Sequence, residues 1–340
     1  MKYGILLTAI HDASVPAAQQ RREHEELVTA AEELGFELMV AGQHFLGSEL
    51  RYFQPIPWLT HMAQVAPSMR VATGIILLSM VNPVDIAEQM ATLDSLTDGR
   101  AIFGAGLGYS AHEFDAFRVR KGERVRRFEE ALELVKALWS GDKVDFDGEY
   151  TTVRGARPSV LPVQEGGIPV WIGGQVEGAV RRAALKGDAW YTPPFPTHAQ
   201  LSSLRELFLR TREEAGLSTD GDFPVRRELL IASDREQGMQ AALDRYRARY
   251  ETYRKWGLSG ENTPIDSGAE LRNEIEEHFI LGTPEECADG LIDLEQRLGM
   301  THFLYKPHWV GQSHAEAMRQ LEQFGTEVMP RVAAESSARV

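Results

Sequence analysis

The 340-residue chain contains a single cysteine, Cys287. No intrachain disulfide can form, and a reducing compartment is expected. Cys287 follows Thr283-Pro284-Glu285-Glu286, a helix-start signature, so it reads as a buried apolar residue rather than a nucleophile. Long hydrophobic runs are also lacking. The run Tyr3–Ile10 is too short for a signal-peptide core followed by a cleavage site, and nothing approaches a membrane span. A cytoplasmic protein is expected. Positive charge is in deficit, with 36 Lys and Arg against 50 Asp and Glu, a net −14. Such a surface repels phosphate backbones and anionic lipid, which argues against nucleic-acid and membrane partners. HExxH, paired CxxC, P-loop and GxSxG motifs are missing, so no metal site is expected.

What is there is alternation. Short apolar runs predict strands at Tyr3–Thr8, Glu37–Ala41, Arg70–Leu78, Ala101–Gly106, Pro169–Gly173, Ala189–Thr192, Arg226–Ser233 and His302–Lys306. Helical spacing predicts Pro16–Leu34, Val84–Leu96, Arg124–Trp139, Val176–Lys186, His198–Ala215, Asp234–Trp256, Pro284–Leu298 and His314–Val332. Eight β-then-α units predict an α/β chain folded as a (β/α)8 TIM barrel, in preference to an open doubly wound sheet. The expectation is one domain over 1–340 with insertions near 143–165 and 257–280. Lys143–Gln164, with its Asp147-Gly148 turn, reads as a hairpin excursion, and Leu258–Gly268 as a mobile loop.

A barrel places its chemistry at the carboxyl ends of the strands. After strand two stands Gly42-Gln43-His44-Phe45, then a long loop through Tyr52, Phe53 and Trp58. His44 can serve as an acid or base, or merely tie its loop to a carbonyl. His11, after strand one, has the same two readings, with the tie preferred. Gly74 interrupts a β-branched run, which marks either close backbone approach by a planar cofactor or plain packing. Gly104, Gly106 and Gly108 have GxGxG spacing, not a dinucleotide fingerprint, and read as a rim with room for a ligand. Gly173-Gly174-Gln175 leads into a helix start, a geometry suited to phosphate as well as to an ordinary tight turn. The basic stretch Arg118–Arg127 is mostly a solvated helix face. Lys306-Pro307-His308-Trp309 either reaches the site or caps the last strand. No protein nucleophile emerges, so the chemistry is expected to be delegated to a cofactor.

Several segments carry a family likeness: Ala31-Glu32-Glu33-Leu34-Gly35-Phe36, Asn82-Pro83 with Ala87-Glu88-Gln89, Leu93 to Arg100, Gly106-Leu107-Gly108-Tyr109, Glu113 to Phe117, Arg124 to Glu130, and Trp171-Ile172-Gly173-Gly174. In this order the chain resembles the bacterial luciferase-like flavin monooxygenases and the related deazaflavin-dependent reductases. The resemblance implies a barrel with a reduced flavin at its carboxyl rim. It also implies a non-proline cis peptide at Gly74–Ile75 behind the flavin ring, and a phosphate held by Gly173, Gly174 and Gln175 with Arg124. Gly106 would lie beside the cofactor; Phe45, Trp58 and Tyr109 would cover the substrate. The chain departs from the family where Gln43 replaces the first histidine of Glu-His-His-Phe, and where Leu107 replaces a phosphate-contacting arginine. Long-chain aldehyde luminescence is therefore not expected. The leading expectation is an FMN-dependent monooxygenase acting on a small organic substrate, with His44 at the chemistry, a flavin reductase partner and a homodimeric state. A deazaflavin-dependent hydride-transfer reductase, a non-catalytic flavin-binding protein and a cofactor-free barrel enzyme are the alternatives.

Overall fold

The structure is a computed structural model that describes residues 1–7, 11–47, 50–255, 268–309 and 311–337. The first half runs β1 (Lys2–Leu6), β2 (His11–Asp12), α1 (Ala17–Glu33), β3 (Leu38–Ala41), β4 (Leu50–Arg51), α2 (Pro55–Val65), β5 (Arg70–Thr73), β6 (Ile76–Leu77), α3 (Pro83–Leu96) and β7 (Ala101–Gly106). It continues with α4 (Ala111–Ala116), α5 (Arg124–Trp139), β8 (Val144–Asp147), β9 (Thr152–Ala156), β10 (Val170–Gly173) and α6 (Glu177–Lys186). Then follow β11 (Ala189–Tyr191), α7 (His198–Glu214), β12 (Pro224–Arg226), β13 (Glu228–Ile231), α8 (Arg235–Lys255) and α9 (Gly268–His278). The chain ends through β14 (Phe279–Gly282), α10 (Pro284–Leu298), β15 (His302–Tyr305), α11 (His314–Gln323) and α12 (Met329–Ser337).

Eight parallel strands form the barrel in the order β11-β10-β7-β5-β3-β1-β15-β12. The seam between β12 and β11 is bridged by Thr192, whose N–H donates to Pro224 O at 3.4 Å and whose Oγ1 accepts from Arg226 N at 3.0 Å. Side chains alternate across each strand. One set fills the barrel: Leu6, Leu38, Val40, Ala72, Ile102, Trp171, Ala189, Tyr191 and Leu304. The other set packs outward under the helices, where Ile5, Met39, Val71, Phe103, Ile172, Val225 and Phe303 join one continuous core. Strands buried on both faces explain why the sequence shows runs rather than alternation.

Seven barrel strands fall on expected segments; the eighth, β12, shares only Arg226 with the expected Arg226–Ser233, and two of the segments are divided. Arg70–Leu78 breaks into β5 and β6 at the cis peptide Gly74–Ile75. The segment Arg226–Ser233 contributes only its start to the barrel; Glu228–Ile231 leaves it and pairs with β14, a strand missing from the expected set. The expected hairpin is present as β8 and β9, antiparallel. Of the expected loop Leu258–Gly268, residues 258–267 lie outside the described residues. The segment after strand two corrects the reading of a long loop, because Pro55 begins α2. Proline is favoured in a first helical turn, where its missing N–H costs nothing. Among the described residues no helix is long and apolar enough to cross a membrane.

Candidate functional site

The barrel mouth is floored by glycines because neighbouring atoms leave no room for a β-carbon. A Cβ on Gly104 would lie 1.8 Å from the Thr73 carbonyl oxygen, and one on Gly106 would lie 2.1 Å from Ile75 Cδ1. At Gly74 it would meet Val40 Cγ1 at 2.3 Å and the Tyr191 hydroxyl at 2.9 Å. The Ile75 side chain thus lies across the ends of β7 and β10, also within 3.4 Å of a Cβ on Gly173. Two backbone bonds tie this bend to the end of β3: Gly74 N to Ala41 O at 2.7 Å, and Gln43 N to Ile75 O at 3.2 Å.

Gln43 completes that tie. It is 8% exposed, its Oε1 accepts from Leu77 N at 2.9 Å, and its Nε2 donates to Gln54 Oε1 at 3.1 Å. Gln54 Nε2 in turn donates to the His44 carbonyl at 3.0 Å. The residue that replaces the family histidine is therefore a buried bracket between β6 and the His44 loop.

His44 meets Glu113 across 69 residues of sequence: Nδ1 lies 3.1 Å from Glu113 Oε1, which also accepts from Phe45 N at 2.8 Å. Glu113 is 2% exposed, in the first turn of α4. A carboxylate oxygen only accepts, so Nδ1 is the donor, and in the neutral imidazole Nε2 presents the lone pair. Among the described residues Nε2 makes no hydrogen bond. The other carboxylate oxygen, Oε2, is buried and also without a partner. A buried acceptor left open normally waits for a donor that is not yet there. The Glu113 contact, invisible to sequence spacing, is a pairing that the sequence reading missed.

One wall of the mouth is apolar, built from buried Leu77, Met80, Phe114 and Val119 with Phe45 and Ile75 packed on them. Tyr52 and Tyr109 turn toward the His44 ring at 5.0 and 5.8 Å between centroids. On the far side Arg226 pairs with the buried Glu228 at 3.0 Å. Tyr191, enclosed beside them, has its phenol pushed up to about 12 by burial.

The Gly173–Gly174 turn is held open-ended. A Cβ on Gly174 would sit 2.4 Å from Ala179 Cβ, and Trp190 Nε1 donates to Gly174 O at 2.8 Å. No side chain caps α6, and Gln175, Val176, Glu177 and Gly178 are exposed, so the start of the helix is open, with the Ala179 N–H already bonded to Val176 O at 2.9 Å. That geometry accepts a phosphate, although Glu177 opposes it with a like charge. Arg124 starts α5, with Nη1 donating to Lys121 O at 2.9 Å. Its basic neighbours are engaged locally: Arg120 and Arg127 with Glu123, and Arg126 with Glu149.

Several expected residues lie elsewhere. Trp58 is 8% exposed and stacks on Phe53 at 4.4 Å, with His24 of α1 at 5.5 Å. It belongs to the helical layer, which corrects its expected place over the substrate. Phe45 and Tyr109 do line the mouth. Trp309 stacks on Phe279 at 5.9 Å and anchors the α8–α9–β14 insertion to the last strand. His11 lies in β2, in backbone register with Arg51.

Comparison with known proteins agrees with this architecture. The profile of the family described as luciferase-like monooxygenase matches residues 1–302. The chain belongs to that family. An F420-dependent glucose-6-phosphate dehydrogenase of Rhodococcus erythropolis is 33% identical over half of the chain, and the match spans about half (52%) of that relative's length. A 4-hydroxyprotoasukamycin monooxygenase of Streptomyces nodosus subsp. asukaensis is 25% identical over 97% of the chain and 92% of its own length. The oxygenating constituent of 3,6-diketocamphane monooxygenase from Pseudomonas putida, solved with FMN, superposes with a TM-score of 0.81, 16% identity and 98% coverage of both chains.

Proposed function

We propose that the chain is a flavin-dependent oxidoreductase, in first place an FMN-dependent monooxygenase supplied with reduced FMN by a separate reductase. The observation that carries this reading is the His44–Glu113 pair set against an apolar wall at the strand ends. The open Glu113 Oε2 and the uncapped start of α6 fit a heterocycle with a ring N–H and a phosphate. Gly74, Ile75, Gly106, Gly173, Gly174, Gln175 and Arg124 would hold it. When bound, reduced FMN supplies two electrons and activates dioxygen. The protein's own part is to exclude water with the apolar wall and to take or return a proton at His44 Nε2. The same reading carries a small organic substrate, a homodimer and a cytoplasmic setting.

A second reading is hydride transfer with a deazaflavin. It is favoured by the His44 lone pair, since removing a hydride from a carbinol leaves a hydroxyl proton for a base to take. The F420-dependent relative points the same way.

Anaerobic titration with reduced FMN and, separately, reduced deazaflavin tests both. Tight binding of reduced FMN, followed on exposure to air by oxygen uptake coupled to substrate, is expected. Binding of the deazaflavin alone transfers the protein to the hydride-transfer branch. Binding without any turnover leaves a flavin carrier, and binding of neither overturns the assignment. His44→Ala is expected to lower turnover by about a hundredfold or more.

A further inference from the structure

The same mouth carries information about what it admits. Among the described residues, three exposed large apolar side chains belong to the His44 segment and what packs on it: Leu46 at 60%, two residues on in the chain, Tyr109 at 49%, against the His44 ring, and Phe117 at 37%, on Phe45. Exposed apolar groups scattered singly need no explanation, but a group of them around one polar atom marks a binding surface. Phe117 packs on Phe45 with ring centroids 4.6 Å apart, so its exposed surface is held in place. Tyr109 and Tyr52 both meet the His44 ring at steep angles, 78° and 64°. Two phenol rings thus contact the imidazole, and among the described residues its Nε2 makes no hydrogen bond.

We propose that this mouth selects an aromatic substrate bearing an acidic hydroxyl, a phenol, with its ring against Tyr109 and its O–H directed to His44 Nε2. The inference rests on the flavin reading of the same site and adds the substrate class to it. Offset or edge-on ring contacts give an aromatic substrate an advantage over an aliphatic one of equal size. In the bound state the phenol O–H bond breaks, its electron pair stays on the oxygen, and the proton forms a new N–H bond at Nε2. The resulting imidazolium is balanced by the Glu113 carboxylate on Nδ1. No oxidant enters this step. The other titratable groups facing His44 are the Tyr52 and Tyr109 phenols. Glu113 is a positioning residue: it fixes which nitrogen is free.

The test uses 4-nitrophenol, whose yellow phenolate band reports its own ionisation, added to the protein with and without reduced FMN under anaerobic conditions. Saturable binding with growth of the phenolate band is expected at a pH where the free probe is mostly protonated. Tyr109→Ala is expected to weaken binding roughly three- to tenfold, the range for one ring contact. Tyr109→Phe should retain affinity, since the ring face and not the hydroxyl is used. His44→Gln should keep binding but lose the phenolate band. Equal competition by cyclohexanol and phenol, or affinity unchanged in Tyr109→Ala, overturns the proposal. Phenol binding that is sensitive to Tyr109 in a protein that takes no flavin would sink the flavin reading alone; flavin binding without phenol binding would sink the substrate class alone.

Discussion

Gln43 and Glu113 show how much a single buried polar side chain does at this mouth. Gln43 bridges Leu77 N and Gln54 Oε1, and Gln54 carries on to the His44 carbonyl. Gln43→Leu keeps the volume but strands the Leu77 N–H in a buried position. It is expected to cost about 1–3 kcal/mol, read from denaturant midpoints, and to loosen the His44 loop. A midpoint unchanged by this substitution would show that Gln43 is not a bracket. Glu113→Gln keeps an acceptor for Phe45 N–H but removes the charge that fixes the His44 tautomer. Turnover is expected to fall roughly tenfold with flavin affinity kept, the lesser loss because His44 itself remains. Equal losses of flavin affinity and turnover would instead place Glu113 on the cofactor. Neither role follows from local pattern, since each depends on a partner from a distant segment.

At the scale of elements, two glycines of β7, Gly104 inside the strand and Gly106 at its carboxyl end, differ in kind. A Cβ at Gly104 runs into the Thr73 backbone carbonyl at 1.8 Å, which cannot move without shifting β5. A Cβ at Gly106 meets only the tip of the Ile75 side chain at 2.1 Å. Gly104→Ala is therefore expected to fail to fold stably, whereas Gly106→Ala folds, rotates Ile75 and weakens flavin binding. Thermal melts of both, with flavin titration of the second, decide; equal stability in the two would contradict the packing argument. The helix α2 illustrates the opposite situation. Its prolines Pro55 and Pro57 punctuate the sequence as a loop would, yet Ile56, Trp58, Leu59 and Met62 follow at helical spacing and are buried. Trp58 was legible as an aromatic near the site but not as a core residue, because helical phase decides which way it faces.

For the whole molecule the barrel has two unlike ends. The mouth holds the chemistry, while the foot is closed by His302, 2% exposed, beside Trp171 at 5.6 Å. Burial pushes the His302 imidazole down to about 4, assisted by the nearby Lys2, Arg70 and the amino terminus and opposed by Asp222. The folded form thus binds a proton less readily than the unfolded chain. Its contribution to stability is full above about pH 6.5 and is lost as pH falls from there through 4, on the order of 3 kcal/mol. His198, half-buried and pushed down to about 4 chiefly by desolvation, acts in the same direction. His302→Gln is expected to flatten the acid limb of a stability profile taken between pH 7 and 4. An unchanged slope would assign that limb to other groups. The insertion carried by α8, α9 and β14 has its own apolar cluster around Trp309 and reaches the barrel through β13.

The sequence by itself determined the barrel, because eight doubly buried strands and their crossover helices leave a periodic record along the chain. It placed the cis peptide at Gly74–Ile75 and the Gly173–Gly174 turn by family likeness, since both are local to a few residues. Only the tertiary structure decided that Glu113 holds His44, that Gln43 is a bracket and that Trp58 is core. The first two depend on the segment after β3, the backbone of β6 and a side chain of α4 meeting, and the third on α2 packing against α1; distance along the chain carries no trace of such meetings.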